Sequence, residues 1–325
     1  MTMTVFDADP DELGVLAERA RSADPGVRRV AMLALAETAE PEAATLLIGG
    51  LADDAAEVRA AAAQALEEHA GPQVIGALAA ALEDPAPGVR EAAAVALADR
   101  HEPDAAPLLI ARATRGTPFA RAAAFRALRE LAAPAAGPVA LAALTDASPT
   151  VRREAVAVLG WLRDPDTHAG LMRSAGDPEA EVRRAAMTAL VSVRSGVPAV
   201  AALLSGLRDS DWQVREEAAA TLARNRLAEA ETALIRAMDD PVWQVQLKAA
   251  AALGRLRAVA ALPMLAIALA SEVSNLRREA AAALGEIADP AALPALHKVA
   301  ADPDPEVRKT ALWAIGCCGG GGAGH

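Results

Sequence analysis

Few side chains in this 325-residue sequence have the type and spacing to do chemistry, and the clearest set stands at its end. Cys317 and Cys318 are adjacent, and a glycine-rich run separates them from His325. Thiolate and imidazole are the donors that soft metals such as Cu(I) and Zn favour. Cys317, Cys318 and His325 are therefore the candidate metal ligands, although a zinc site would lack one ligand. The glycines disfavour helix and keep such a segment flexible. A competing reading is a solvated end with a cysteine packed on the structure before it, and then no cofactor is called for. The one His-Glu dipeptide, His101-Glu102, stands before Pro103, where a turn is expected. His69 and His168 fall near helix ends or turns and His297 within a helix, so surface or capping roles are expected for them. No Ser-His-Asp arrangement and no glycine-rich phosphate loop is apparent.

Two further groups of residues could bind rather than react. Trp212 and Trp243 occupy matching places in "DSDWQVREE" and "DDPVWQVQL". Tryptophan is enriched among residues that dominate binding energy, so the pair is a candidate partner-binding edge; alternatively both rings cover turns. The stretch "ARATRGTPFARAAAFRALRE" gathers Arg112, Arg115, Arg121, Arg126 and Arg129, with Arg100 nearby. Such an island could dock an acidic segment or a phosphate group, or its arginines could pair with neighbouring glutamates.

Composition narrows the field. Net charge is −11, which argues against generic nucleic-acid binding and against anionic membrane surfaces. No run of 18 apolar residues predicts a membrane span, and "MTMTVFDADPDELG" lacks the features of a signal peptide. Two adjacent cysteines give no disulfide framework. The expectation is a soluble cytoplasmic protein. Apolar residues reach 53% while aromatics are 2%, and alanine carries much of that apolar share. Alanine favours helix and lets helices approach closely.

The elements that must position these side chains follow from an internal period. A Val-Arg pair anchors the alignment at Val27, Val58, Val89, Val151, Val182, Val214 and Val307. Altered copies stand on schedule at Ala120, Val245 and Leu276. The step is 31 residues throughout except for 32 between Val182 and Val214, an insertion expected near Ser195-Gly196. Four places after every anchor stands alanine. Eight places after it stands leucine, Leu35 to Leu284, with Ile315 in the last copy. Places 0, +4, +7 and +8 share one helix face, so each anchor opens a helix with a buried stripe. A shorter helix precedes it, often started by Asp-Pro. Five places before the anchor stands Asp in seven copies, Asp53, Asp84, Asp146, Asp177, Asp209, Asp240 and Asp302. Such an Asp could cap the second helix, or meet the arginine after an anchor and build a ladder along the turns.

This helix-turn-helix unit resembles the HEAT family, specifically the short HEAT-like repeats named after phycobilisome lyases. The resemblance implies an all-α, right-handed solenoid of about ten repeats over residues 11–316. Residues 1–10 would form an N-terminal extension and 317–325 a flexible Cys-Cys-Gly-rich tail. It further implies second helices on a concave face, where places +2 and +6 reach solvent. Place +6 is small in Ala157, Thr188, Ala220, Ala251 and Ala282, and is Trp313 in the last copy. Such a groove suits a helical or extended segment of another protein. The expected function is a protein-binding scaffold. A maturation factor, bilin-lyase-like or metal-handling, is the runner-up.

The enzymatic di-iron hydroxylases of the family place His-Glu pairs early in the second helix. The matching places here read Arg153-Glu154, Arg278-Glu279 and Glu216-Glu217, and arginine does not ligate iron. The basic, aromatic-lined groove of HEAT-like DNA glycosylases is also missing.

Overall fold

The computed structural model describes residues 10–38, 40–98, 100, 102, 104–192 and 197–319. Those residues form twenty α-helices and seven short 3-10 turns, with no strand among them. The class is the helical solenoid expected from the repeat. The chain divides into two units, residues 1–162 and 163–325. Unit 1 holds five helix pairs: α1 (Pro10–Arg19) with α2 (Pro25–Leu35), α3 (Pro41–Gly50) with α4 (Ala56–Ala65), α5 (Pro72–Ala81) with α6 (Pro87–Ala98), α7 (Ala105–Thr114) with α8 (Pro118–Glu130), and α9 (Gly137–Ala143) with α10 (Pro149–Leu162). Unit 2 holds α11 (His168–Ser174) with α12 (Ala180–Ala189), α13 (Val197–Gly206) with α14 (Trp212–Asn225), α15 (Glu231–Ala237) with α16 (Trp243–Leu256), α17 (Leu262–Ala268) with α18 (Ser274–Ile287), and α19 (Leu293–Val299) with α20 (Pro305–Gly319). Within each unit every second helix packs on the next second helix. Residues 1–9 and the Ser195-Gly196 insertion lie outside the described residues.

The buried stripe explains this stacking. The alanine at +4 is completely buried in all ten copies, and the leucine at +8 is buried in all nine. A methyl-sized side chain at +4 lets adjacent second helices approach, and the leucine fills the space beyond. Volumes are matched between copies as well. A Cβ on Gly50 would stand 2.5 Å from the Met32 sulfur, and one on Gly206 would stand 2.5 Å from the Met187 sulfur. Each large +5 methionine thus requires glycine at the end of the next first helix.

Between copies runs a charged ladder. Arg59 donates from Nε to Asp84 Oδ2 at 2.7 Å and from Nη2 to Asp84 Oδ1 at 2.9 Å. Its Nη1 donates to the carbonyls of Asp53 and Asp54. Equivalent rungs join Arg28 to Asp53, Arg121 to Asp146, Arg183 to Asp209, Arg215 to Asp240 and Arg277 to Asp302. Each aspartate therefore meets the arginine of the preceding copy. Its other task differs from helix capping: Asp53, Asp84 and Asp209 accept from the N–H two residues on, before the helix begins. Where a side chain caps a second helix, it stands three places before the anchor, as in Asp24 and Asp211. The Arg59 hydrogen bond holds the Asp84 carboxyl below the usual carboxylate range, against the opposing effect of burial.

A second tie sits eleven places after the anchor. His69 Nε2 lies 3.2 Å from the Leu35 carbonyl, and Arg100 Nη2 donates to the Leu66 carbonyl. Asn225 Nδ2 reaches the Leu190 carbonyl at 3.5 Å, and the Cys318 thiol reaches the Leu284 carbonyl at 3.6 Å. Four different side chains thus reach carbonyls near the end of the preceding second helix, and those of Leu35, Leu66 and Leu284 accept a backbone N–H as well.

Candidate partner-binding groove

The fourth copy breaks the ladder, and the break shapes a groove in unit 1. Arg115 stands where the aspartate would be, so Arg90 has no carboxylate twenty-five residues on. Gly116 adopts φ 127°, a region that favours glycine. Thr117 then caps α8, accepting from the Ala120 N–H at 3.3 Å, and Pro118 takes the first helical turn. This turn places Phe119 beneath the Arg90 guanidinium, which lies 5.5 Å from the ring centroid. Glu83 supplies the missing carboxylate from elsewhere: its Oε1 accepts from the Thr117 N–H at 2.9 Å and lies 3.4 Å from Arg112 Nη1.

Beside this junction α6, α8 and the 3-10 turn that follows α4, Leu66–Glu68, leave a groove of about 560 Å³. Ala94, Val95, Ala98 and Phe119 line it with apolar surface; Glu67, Glu91, Glu130 and Arg126 supply its polar groups. Val95, at +6, is 61% exposed and Phe119 39% exposed. Exposure of places +2 and +6 follows the expected pattern: Glu91 and Thr188 are exposed, Ala157, Ala220 and Ala251 half-buried.

The arginine island is brought together and largely neutralised. Buried Glu154 meets Arg153 at 2.8 Å, Arg126 at 3.3 Å and Arg129 at 3.8 Å. Arg129 also meets Glu130 at 2.7 Å, Arg121 meets Asp146 at 2.7 Å, and Arg112 meets Glu83. Arg100 is buried, donating to the carbonyls of Ala96, Leu66 and His69. Arg115 is exposed and has no ion-pair partner among the described residues. The glutamates that quench the island are therefore those of its own and neighbouring copies.

Trp212 and Trp243 open α14 and α16 and are both half-buried. The exposed tryptophans are Trp161 and Trp313, at 56% and 51%. The Trp313 ring lies across Gly285 of α18, where any Cβ would collide with it.

Cys317 and Cys318 belong to the last turn of α20, which runs to Gly319. Residues 317–319, expected to open the tail, are therefore helical. Cys318 is 1% exposed, and burial, then the neighbouring Cys317, pushes its thiol up. His325 and His101 lie outside the described residues, and no group of three or more possible ligands clusters among those described. His69, expected at a surface or cap, is buried and stands at the C-cap of the 3-10 turn Leu66–Glu68. No helix among the described residues is long and apolar enough to cross a membrane.

Six stretches of the sequence, residues 6–67, 50–129, 117–191, 137–206, 200–283 and 264–320, match HEAT repeats. No curated protein matches the sequence. An engineered protein of solved structure is similar over 94% of this chain and 98% of its own, at 23% identity and TM-score 0.53. Kap95p, which binds RanGDP, is similar over 95% of this chain and 52% of its own, at 15% identity and TM-score 0.71. Kap121p bound to the extreme C-terminus of the phosphatase Cdc14p is similar over 96% of this chain and 42% of its own, at 17% identity and TM-score 0.65. The chain spans about half of Kap95p and less of Kap121p, and these likenesses establish the fold.

Proposed function

The chain belongs to the HEAT-repeat family, and from that premise we propose that it is a protein-binding scaffold. Its partner is a helical or extended polypeptide segment held across α4, α6 and α8. The observation that carries this reading is the uncovered apolar floor of the groove, Val95 and Phe119. Solved neighbours of the same fold bind other proteins: Kap95p binds RanGDP, and Kap121p the end of Cdc14p. The 31-residue period supports the phycobilisome-lyase type of repeat, without its chemistry. Metal handling by Cys317, Cys318 and His325 is not part of this reading, because the Cys318 thiol is engaged in the packing of α20 on α18. The free thiols Cys317 and Cys318 support a reducing cytoplasm as its place.

The test is a photo-crosslinking residue placed at Gln64, the +6 site of α4, with a control at exposed Leu108 on the first-helix face. Crosslinking in the native host is expected to join one partner at position 64 and to fall away when Val95→Asp is added. Equal crosslinking from position 108, or indifference to Val95→Asp, refutes the assignment of the groove.

A further inference from the structure

The sign of charge in the groove is opposite to that of the sequence around it. Arg112, Arg121, Arg126 and Arg129 are all taken up by Glu83, Asp146, Glu154 and Glu130. Arg90 rests on Phe119 and donates to the carbonyls of Asp84 and Pro85. Glu67 and Glu91, in contrast, have no ion-pair partner among the described residues, and both are exposed. Three carboxylates and a single arginine line the groove, and that arginine is tied to buried Glu154.

Placement matters as much as count. Glu91 stands at +2 on α6, near the start of its helix, whereas Glu67 stands in the 3-10 turn that follows α4 and Glu130 at the end of α8. Seven to eight residues of helix separate these levels, roughly 11 Å. The apolar floor lies between them. Helix C-termini carry partial negative charge of their own, which adds to Glu130. Carboxylates beside low-dielectric walls focus their potential into the groove. An acidic segment or a phosphate group meets repulsion here.

Resting on the scaffold reading, we infer that the segment this groove takes is basic: an aliphatic side chain seated on Val95 and Phe119, flanked by lysines or arginines that meet Glu91 on one side and Glu67 and Glu130 on the other. The aliphatic group fills space the chain leaves open, and the flanking cations neutralise Glu67 and Glu91, which it leaves unpaired, and join Glu130 beside its partner Arg129.

Fluorescence anisotropy on the full chain tests this with three labelled peptides: leucines flanked by lysines, the same leucines flanked by glutamates, and the lysines with alanines replacing leucine. The first is expected to bind, and the other two at least about tenfold more weakly. Glu67→Gln with Glu91→Gln should weaken the first by about tenfold, since it removes two partly exposed charge pairs. Glu272→Gln with Glu306→Gln, which removes equal charge from exposed sites in unit 2, should change it less than about twofold. Equal losses in the two double variants, or equal binding of the glutamate peptide, overturn the inference. A native partner that still crosslinks at position 64 while the lysine-leucine peptide fails to bind also overturns it, and leaves the groove assignment standing.

Discussion

Replacing Asp84 by alanine removes three hydrogen bonds: Arg59 Nε to Oδ2 at 2.7 Å, Arg59 Nη2 to Oδ1 at 2.9 Å, and the Ala86 N–H to Oδ1 at 2.8 Å. Arg59 keeps its two bonds to the carbonyls of Asp53 and Asp54. The side chains of the pair are 14% and 10% exposed, so the lost contacts are largely covered. A hydrogen bond to a charged group contributes about 1.5–3 kcal/mol. Two on one guanidinium do not add in full, and the residual exposure screens them. Asp84→Ala should therefore cost about 2–3 kcal/mol, and Asp84→Asn, which keeps a neutral acceptor, about 1 kcal/mol. A stacked array need not unfold as one, so the measurement is amide hydrogen exchange resolved to α4, α5 and α6. At pH 7 those amides should exchange about 30- to 150-fold faster in Asp84→Ala. Because the folded carboxyl titrates below its unfolded value, near 3.9, the rung stabilises fully above that value. It is lost as pH falls through the folded one. The difference between variant and parent should hold from pH 8 to 5 and shrink below about 4. Exchange within about twofold of the parent at pH 7, or a difference that grows on acidification, would refute the ladder as a stabilising device.

Alkylation by iodoacetamide at pH 8 should modify half-buried Cys317 first. Cys318, buried with its thiol pushed up by that burial and by Cys317, should react about a hundredfold more slowly; equal rates would place both thiols at the surface. Burial pushes the Glu279 carboxyl up, and Glu286 adds to this against the pull of Arg278, Arg255 and Lys248. A carboxyl raised in the fold stabilises below its unfolded pKa and loses that contribution as pH rises through the folded value. Glu279→Gln should thus raise the melting temperature at pH 7 and leave it unchanged at pH 4. A lower melting temperature at pH 7 would show that the three cations outweigh burial.

The repeat register was legible because alanine at +4 and leucine at +8 obey both the helix period and a strict volume limit. The arginine and aspartate of the ladder were legible as partners; their direction was not, since only stacking decides which copy an arginine reaches. The capping role read for Asp84 failed because α6 begins at Pro87, too far along for its carboxylate. The +11 tie was invisible: His69, Arg100, Asn225 and Cys318 share no chemistry until the carbonyl each one faces is known. One signal was present and unused, the glycine that follows each +5 methionine in the next copy, Gly50 after Met32 and Gly206 after Met187. The arginine island stayed open between docking and pairing, because sequence proximity shows cations together without the buried Glu154 between them.

The junction between the third and fourth copies has a mechanical consequence. Its neighbours in unit 1 are fastened by two-pronged, directional bonds, Arg59 to Asp84 on one side and Arg121 to Asp146 on the other. Here an arginine rests on the flat of an aromatic ring, a contact that resists pulling apart and tolerates sliding. This joint lacks the Arg–Asp rung of its neighbours in unit 1, and Phe119 is both the bearing surface of the joint and the floor of the groove. Whatever leans on that ring also sets the pitch between the two copies it separates.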